Sequence, residues 1–341
     1  MRIDENTSFV DGNVKVEKGQ IIYNLRSDEE IPIQDAKKLC YYFAVAMRGK
    51  HNDSTIGERE VNQIFIDDFR GKYAEIDFRN KIIRDYRDKV RIVVDLDFSI
   101  LPRGEWDKVD LGIQIIETSE IKYLSIKGVK AFSRTLLIEA SRYDKNGEHN
   151  YTNHNGEKIL VDYYALLGID IQDEEKIDNV YDNKTEEFKA FDDLFNNRKV
   201  SGNVLGVISH NEFWCKKAYI PFNVRCNVNN FKYIYDNKDI YNETNLNIYK
   251  ELPIYYVDIN GNKCLGSRNA YYDKNVIDKT TGKNKIERWK VKANYSSKKN
   301  RYLIQYPIAM QENNYFIPSD KLYKLESIWH RKSHNQISLF D

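Results

Sequence analysis

The chain has 341 residues, with 53 Lys and Arg against 52 Asp and Glu and a formal charge of +1. Charged residues make up 31% and aromatic residues 13%, which excludes a disordered, collagen-like or disulfide-dense chain. The length suggests two domains, or one domain with a large appendage, and the balanced total excludes a uniformly polybasic protein while leaving room for a local basic patch.

No apolar run reaches the roughly 20 residues of a membrane span, and the opening MRIDENTSFVDGNVKVEK lacks the basic-then-apolar pattern of a secretory leader. Cys40, Cys215, Cys226 and Cys264 form no CxxC pair. Reduced thiols, a cytoplasmic location and no membrane contact are therefore expected. His149 and His154 stand in an Asn-rich stretch, HNYTNHN, which reads as a surface loop.

Residues 8–24 alternate apolar and polar around Asp11-Gly12 and Gly19, the pattern of short strands and turns. Asp35 is the expected N-cap of a helix with Leu39, Cys40, Phe43 and Met47 on its inner side. A longer helix is expected from Glu58 to Asp85, where Val61, Ile64, Phe65, Phe69, Ala74 and Ile76 recur at helical spacing. From Arg91 the texture becomes β. Candidate strands are 91–100, Leu111–Ile116, Ile121–Ile126, Thr135–Glu139 and Val161–Ile169, then Val204–Ser209 and Ala218–Phe222. This order predicts an α/β core with one mixed central sheet flanked by helices.

Two segments carry opposite charge. Residues 170–193 hold ten acids against three lysines and read as a solvated helix or loop. Residues 279–301 hold nine Lys and Arg against Glu287 alone. Residues 301–310, RYLIQYPIAM, read as a buried strand. The expected division is an N-terminal core, 1–235, and a β-rich basic extension, 236–341, ending in a short exposed tail.

The stretch 103–139 carries the chemistry. Asp110 opens one strand, and the next carries Ser125-Ile126-Lys127. Strand side chains at i and i+2 share a face, so Ser125 and Lys127 point the same way. If the two strands pair as a hairpin, Asp110 and Lys127 converge at the sheet edge. A carboxylate holds Mg²⁺, a hard cation that favours oxygen. A lysine orients the attacking water or stabilises charge on the phosphoryl group. The Ile126 carbonyl is a further oxygen ligand.

Four blocks, FRGKYAE (69–75), RGEWDKVD (103–110), YLSIKG (123–128) and LLIE (136–139), resemble those of a group of type II restriction endonucleases in the PD-(D/E)XK nuclease superfamily. The resemblance covers roughly residues 40–170. It implies that core fold and Mg²⁺-dependent, site-specific cleavage of double-stranded DNA. Asp110, Lys127, Ser125, Glu75 and Glu139 are the implied catalytic residues, with Asp110, Ile126, Glu139 and Asp107 around the metal. Ser125 stands where the superfamily usually has an acid, so Glu139 or Glu75 is expected to supply the missing carboxylate. Trp106 is expected to pack beside the site.

The basic segment interleaves Lys285, Arg288, Lys290, Lys292, Lys298, Lys299 and Arg301 with Trp289 and Tyr295. It suits contacts to DNA phosphates, and Lys130 is a further candidate. The terminal Gln336-Ile-Ser-Leu-Phe340 resembles the pentapeptide that binds bacterial sliding clamps, with Gln336, Leu339 and Phe340 as its anchors. A palindromic target would call for a homodimer. The competing readings are a clamp-associated repair or structure-selective nuclease, and a non-catalytic DNA- or clamp-binding protein with a degenerate core.

Overall fold

The computed structural model describes the chain apart from residues 49–60, 102–108, 145, 151, 153–155, 157, 159–160, 175–176, 178–179, 183, 227, 253, 258–262, 267–270, 278–283, 291–294, 297–300, 303–307, 311 and 331–341. Between 253 and 309 it describes the backbone alone.

Phe9–Asp11 (β1), Val14–Glu17 (β2) and Gln20–Tyr23 (β3) form a three-stranded antiparallel sheet. Gly12 and Gly19 turn it at φ 64° and 75°, and a Cβ on Gly19 would lie 2.8 Å from the Asp4 carbonyl oxygen. Helix α1, Ile33–Ala46, starts two residues before the expected cap. Asp35 is in its first turn, and its carboxylate accepts from Asn13 Nδ2 at 2.8 Å and Tyr23 Oη at 3.0 Å. That carboxylate ties the helix to the small sheet, so it does not cap the helix.

Helix α2, Val61–Tyr86, buries Phe65, Phe69, Tyr73, Ile76 and Phe78. Its Arg79 is wholly buried and donates to Asp95 at 2.6 and 2.9 Å and to the carbonyls of Arg26 and Glu29. This pairing decides where the next strand stops. Val90–Val94 (β4) ends just before Asp95, and Leu96, Phe98 and Ile100 enter the core from an irregular segment instead of a continued strand.

The chain continues through Leu111–Ile115 (β5), Ile121–Lys130 (β6), Thr135–Glu139 (β7), Tyr163–Ile171 (β8), Tyr181–Asp182 (β9), Glu187–Phe188 (β10), helix Phe191–Leu194 (α3), Val200–Ser209 (β11), helix His210–Lys216 (α4) and Ala218–Ile220 (β12). The central sheet is mixed, ordered β11-β8-β6-β5-β4, with β6 and β8 parallel and the other pairs antiparallel. Helices flank it, as the strand and helix order predicts. The acidic stretch differs from its expected role. Ile177, Val180, Tyr181, Phe188 and Phe191 are buried in the core, so its acids decorate a segment whose apolar residues pack inward.

Contacts divide the chain into two units. The first holds Met1–Ser133, Arg142–Cys215 and Lys321–Asp341, and the second Arg134–Ser141 and Lys216–Asp320. The sequence boundary at 235/236 falls inside the second unit, at the end of helix Val228–Asp236 (α5). In that unit β7 pairs with Asn314–Pro318, which pairs with β12, so β7 is not a strand of the central sheet. Ile220, Phe231, Ile234 and Phe316 form the unit's own core. Of the expected strand 301–310, only Arg301–Tyr302 and Ile308–Ala309 are described as strands. Cys40, Cys215 and Cys226 are free thiols, and no described helix is long and apolar enough to cross a membrane.

Candidate active site on the central sheet

The register of β6 sorts its side chains. Leu124, Ile126 and Gly128 face α2, where a Cβ on Gly128 would lie 2.7 Å from the Arg70 carbonyl oxygen and 2.8 Å from the Ala74 Cβ. Alternation then turns Ser125 and Lys127 to the opposite face. Leu111 is paired with Leu124, so Asp110, one residue before β5, stands opposite Ser125 and shares that face.

The backbone is sorted in the same way. In a hydrogen-bonded antiparallel pair, the N–H and C=O of one residue point to the same neighbour. Leu124 is the last β6 residue that β5 pairs with. Two residues on, the Ile126 N–H points into the gap beyond the start of β5. The Asp110 carboxylate fills that gap and accepts this N–H at 2.5 Å. The Ile126 carbonyl shares the N–H's direction, so it opens on the Asp110 side of β6. Asp110 Oδ1 takes no hydrogen bond among the described residues. Lys127, half-buried, has no ion pair among them. Ser125 is 8% exposed and its hydroxyl also bonds none of them.

β8 makes a matching arrangement on the other side of β6. Asp162, just before the strand, accepts the Tyr123 N–H at 2.8 Å, and its carbonyl accepts the His210 N–H at 2.8 Å. Tyr164 pairs with Ser125 in the parallel ladder and so lies on the Asp110 face. It meets α4, whose start carries the Ser-x-x-Glu capping spacing: Ser209 Oγ donates to Glu212 at 2.9 Å. That cap sets His210 at the head of the helix. His210 Nδ1 lies 3.1 Å from Tyr164 Oη, with the rings 5.8 Å apart and inclined at 30°.

The Arg142–Asn150 hairpin closes the cluster. Gly147, at φ 84°, is pressed on Trp214, where a Cβ would come within 2.7 Å of the indole. Tyr143 packs 5.2 Å from the Trp214 ring and 4.9 Å from His149, and its hydroxyl bonds that of Tyr164. His149 therefore packs edge-on against an aromatic ring, whereas His154 lies outside the described residues. Burial raises the Tyr143 pKa, against downward pulls from the Tyr164 hydrogen bond and the charge of Arg142, with the charge of Asp110 adding a smaller upward one. Burial lowers the pKa of His210 and keeps the ring neutral, against a smaller upward pull from the Gly147 backbone. Burial also raises the Tyr164 pKa.

Asp110, Ser125, Lys127 and the Ile126 carbonyl thus gather where β5 begins. Glu75 does not join them. It is turned toward α1 and paired with Lys72 at 2.7 Å, and the Lys72 ammonium sits over the Phe43 ring. The sheet stands between that helix and the face of Lys127. Lys130 has the parity of Ile126, so it points to the α2 side and pairs with Glu174 at 2.9 Å, beside buried Arg70. That pairing occupies it, and it is not on the Lys127 face. Glu139 belongs to the second unit, where it accepts from Ser141 at 2.7 Å and stands opposite Asn314. Asp107 and Trp106 lie outside the described residues, as do Lys292, Lys298, Lys299, Gln336, Leu339 and Phe340. Lys285, Arg288 and Lys290 lie on a strand, Asn284–Lys290, paired antiparallel with Tyr271–Ile277, and Arg301 opens a two-residue strand.

No family model, curated protein or solved structure matches the chain. The site is therefore read on its own geometry. Asp162, Tyr143, Tyr164, His210 and Trp214 are the members the sequence patterns did not single out. One signal does mark Asp162: both strands flanking β6 are entered through Val-Asp, at 109–110 and 161–162.

The donors at this gap are oxygens, the ligands of hard cations. Among the described residues no group of three or more His, Cys, Asp or Glu side chains gathers. One carboxylate with a free oxygen and a carbonyl directed to the same gap fit a hydrated Mg²⁺, which is held by one or two carboxylates and keeps several waters.

Proposed function

We propose that this chain is a Mg²⁺-dependent endonuclease that hydrolyses double-stranded DNA at specific sites, built on a PD-(D/E)XK core with a serine in place of one acid. The observation that supports this reading is the closure of the Asp110 carboxylate on the Ile126 N–H, which sets a carboxylate and a backbone carbonyl at the start of β5, one residue from Lys127. Asp110 Oδ1 and the Ile126 carbonyl would hold the ion. When bound, the ion polarises a phosphoryl oxygen and makes its water more acidic. Lys127, uncommitted among the described residues, would hold the attacking water and offset charge developing on the phosphate. Ser125 adds no charge, so the protein supplies fewer anionic ligands than two carboxylates would.

The basic strand with Lys285, Arg288 and Lys290 would contact phosphates, the C-terminal pentapeptide would engage a sliding clamp, and two copies would read a palindrome. The deciding experiment is a digest of supercoiled plasmid with purified protein, with and without Mg²⁺. Discrete bands that appear with Mg²⁺ and vanish with EDTA are expected. Intact plasmid at all Mg²⁺ concentrations would overturn the nuclease reading and leave DNA binding without cleavage. A smear following DNA structure instead of sequence would move the assignment to a structure-selective nuclease.

A further inference from the structure

The two edges of the central sheet are finished differently. At β11, Val207 exchanges both its N–H and its C=O with Tyr323, at 2.9 and 2.8 Å, and the Tyr73 hydroxyl bonds the Val200 carbonyl. At the opposite edge β4 pairs with β5 alone. The Lys89 carbonyl accepts the Ile116 N–H, so Lys89 and, two residues on, Arg91 turn their backbone groups toward β5. Val90 and Ile92 turn theirs away, and no described residue bonds them. Val93, the extra residue of the bulge in β4, is 44% exposed, and Val94 is exposed beside it. An open edge with apolar side chains is a template for another strand. The charges around it select that strand. Arg87, Lys89 and Arg91 precede Ile92, and Asp95 and Asp97 follow it, in the run RDKVRIVVDLD. Laid antiparallel against itself, this stretch brings its basic end to its acidic end.

We propose that β4 is the interface between two copies of this chain, paired antiparallel across a two-fold axis at Ile92. Ile92 of each copy donates its N–H to the Ile92 carbonyl of the other, which closes the pair on the axis. Arg87 and Lys89 of one copy approach Asp97 and Asp95 of the second. Asp95 is already held by Arg79, so the exposed Asp97 carries most of that attraction. Val93 of one copy stands beside Arg91 of the other. The same axis bears on the site. A two-fold between antiparallel neighbours in one sheet runs perpendicular to the sheet, so both copies show the same face to the same side. Asp110 and Lys127 of both copies then open on one side of a continuous sheet, where a single duplex can meet two sites. That use of the pair rests on the nuclease reading; the pairing itself does not.

The test is sedimentation equilibrium of the full chain without DNA, over a range of concentrations. A dimer is expected. Val93→Lys changes an exposed position and sets a lysine beside Arg91 of the second copy, once on each side of the axis. It should raise the dimer dissociation constant about tenfold or more. Val93→Glu meets the same arginine with the opposite charge and should dimerise at least as well as the unaltered chain. Hydrogen exchange on the unaltered chain reads the edge without any substitution. The Ile92 amide should exchange more slowly as protein concentration rises through the dissociation constant. A monomer at every concentration would overturn the proposal. So would equal dimerisation by folded Val93→Lys and Val93→Glu, or Ile92 exchange that ignores concentration. If the dimer behaves as expected yet cuts no DNA, the inference holds and the nuclease reading fails. Site-specific cleavage by a chain that stays monomeric would do the reverse.

Discussion

Replacing Asp110 by Asn separates the structural role of this residue from its chemical one. The carboxylate accepts the Ile126 N–H at 2.5 Å, and Ile126 is 4% exposed, so that N–H needs a partner. An asparagine oxygen can take its place. The exchange replaces a charge-assisted bond by a neutral one, a difference of about 1 kcal/mol. For a unit of this size the melting temperature should fall by only about 2–4 °C. The chemical loss is of another order. The amide has no charge to hold the cation and turns its NH₂ toward it. Losing several kcal/mol of metal-based stabilisation, about 4 kcal/mol, slows cleavage about a thousandfold. Asp110→Ala should cost both activity and a further 1–3 kcal/mol or so from the orphaned N–H. The assay is single-turnover plasmid cleavage at saturating Mg²⁺, beside thermal melting of each variant. Cleavage by Asp110→Asn within threefold of the unaltered rate would refute the site. A fall in melting temperature beyond about 10 °C would refute the assumption that the amide satisfies Ile126.

Three further outcomes follow from the surroundings of the site. Glu75→Gln should leave cleavage within about twofold, because Glu75 pairs with Lys72 on the far side of the sheet; a loss comparable to that of Asp110→Asn would return Glu75 to the metal. Arg79→Met strands Asp95 and two carbonyls, so it should cost about 3–5 kcal/mol in urea unfolding; a cost under 1 kcal/mol or so would contradict the pairing as the anchor of residues 95–100. Asp77 is pressed over Gly202 with no hydrogen bond among the described residues, and burial raises its pKa. A carboxyl with a raised folded-state pKa binds its proton more tightly when folded. Its ionisation therefore destabilises the fold as pH rises above the ordinary aspartate value of about 4. Asp77→Asn should melt higher than the unaltered chain at pH 7, with the gap closing as pH approaches 4 or so; a lower melting point at pH 7 would refute this.

The strand alternation in YLSIKG is legible from sequence and already places Ser125 and Lys127 on one face, with Asp110 as the neighbour across a hairpin. Three things were not legible. Helical spacing in α2 admits several phases, and Ala74 and Glu75 are adjacent residues about 100° apart on the helix. Only the contact of Ala74 with Gly128 shows which of them meets the sheet. Lys130 looked like a free cation because its partner, Glu174, is 44 residues away in a segment read as solvent-exposed. β7 has strand composition like its neighbours, but pairing is decided by Asn314–Pro318, far along the chain. Local pattern reports periodicity; it does not report which distant strand completes a sheet.

Ser125 is the departure that most shapes the chemistry, and restoring an acid there tests the whole arrangement. Position 125 is 8% exposed, opposite Asp110 on one side and Tyr164 on the other. A second carboxylate at this depth would face Asp110 in a poorly solvated gap. Two such groups do not both ionise readily, and one pKa rises. Ser125→Asp should therefore be less stable than the unaltered chain at pH 7 in EDTA. Mg²⁺ would relieve the repulsion that causes the loss. At 100 times its dissociation constant it would return about 2.7 kcal/mol, so the variant's melting temperature should depend on Mg²⁺ far more steeply than that of the unaltered chain. Equal Mg²⁺ dependence in the two proteins would mean that no cation lies between positions 110 and 125. The serine would then be a small residue fitted to Tyr164 and not the vacancy of a missing ligand.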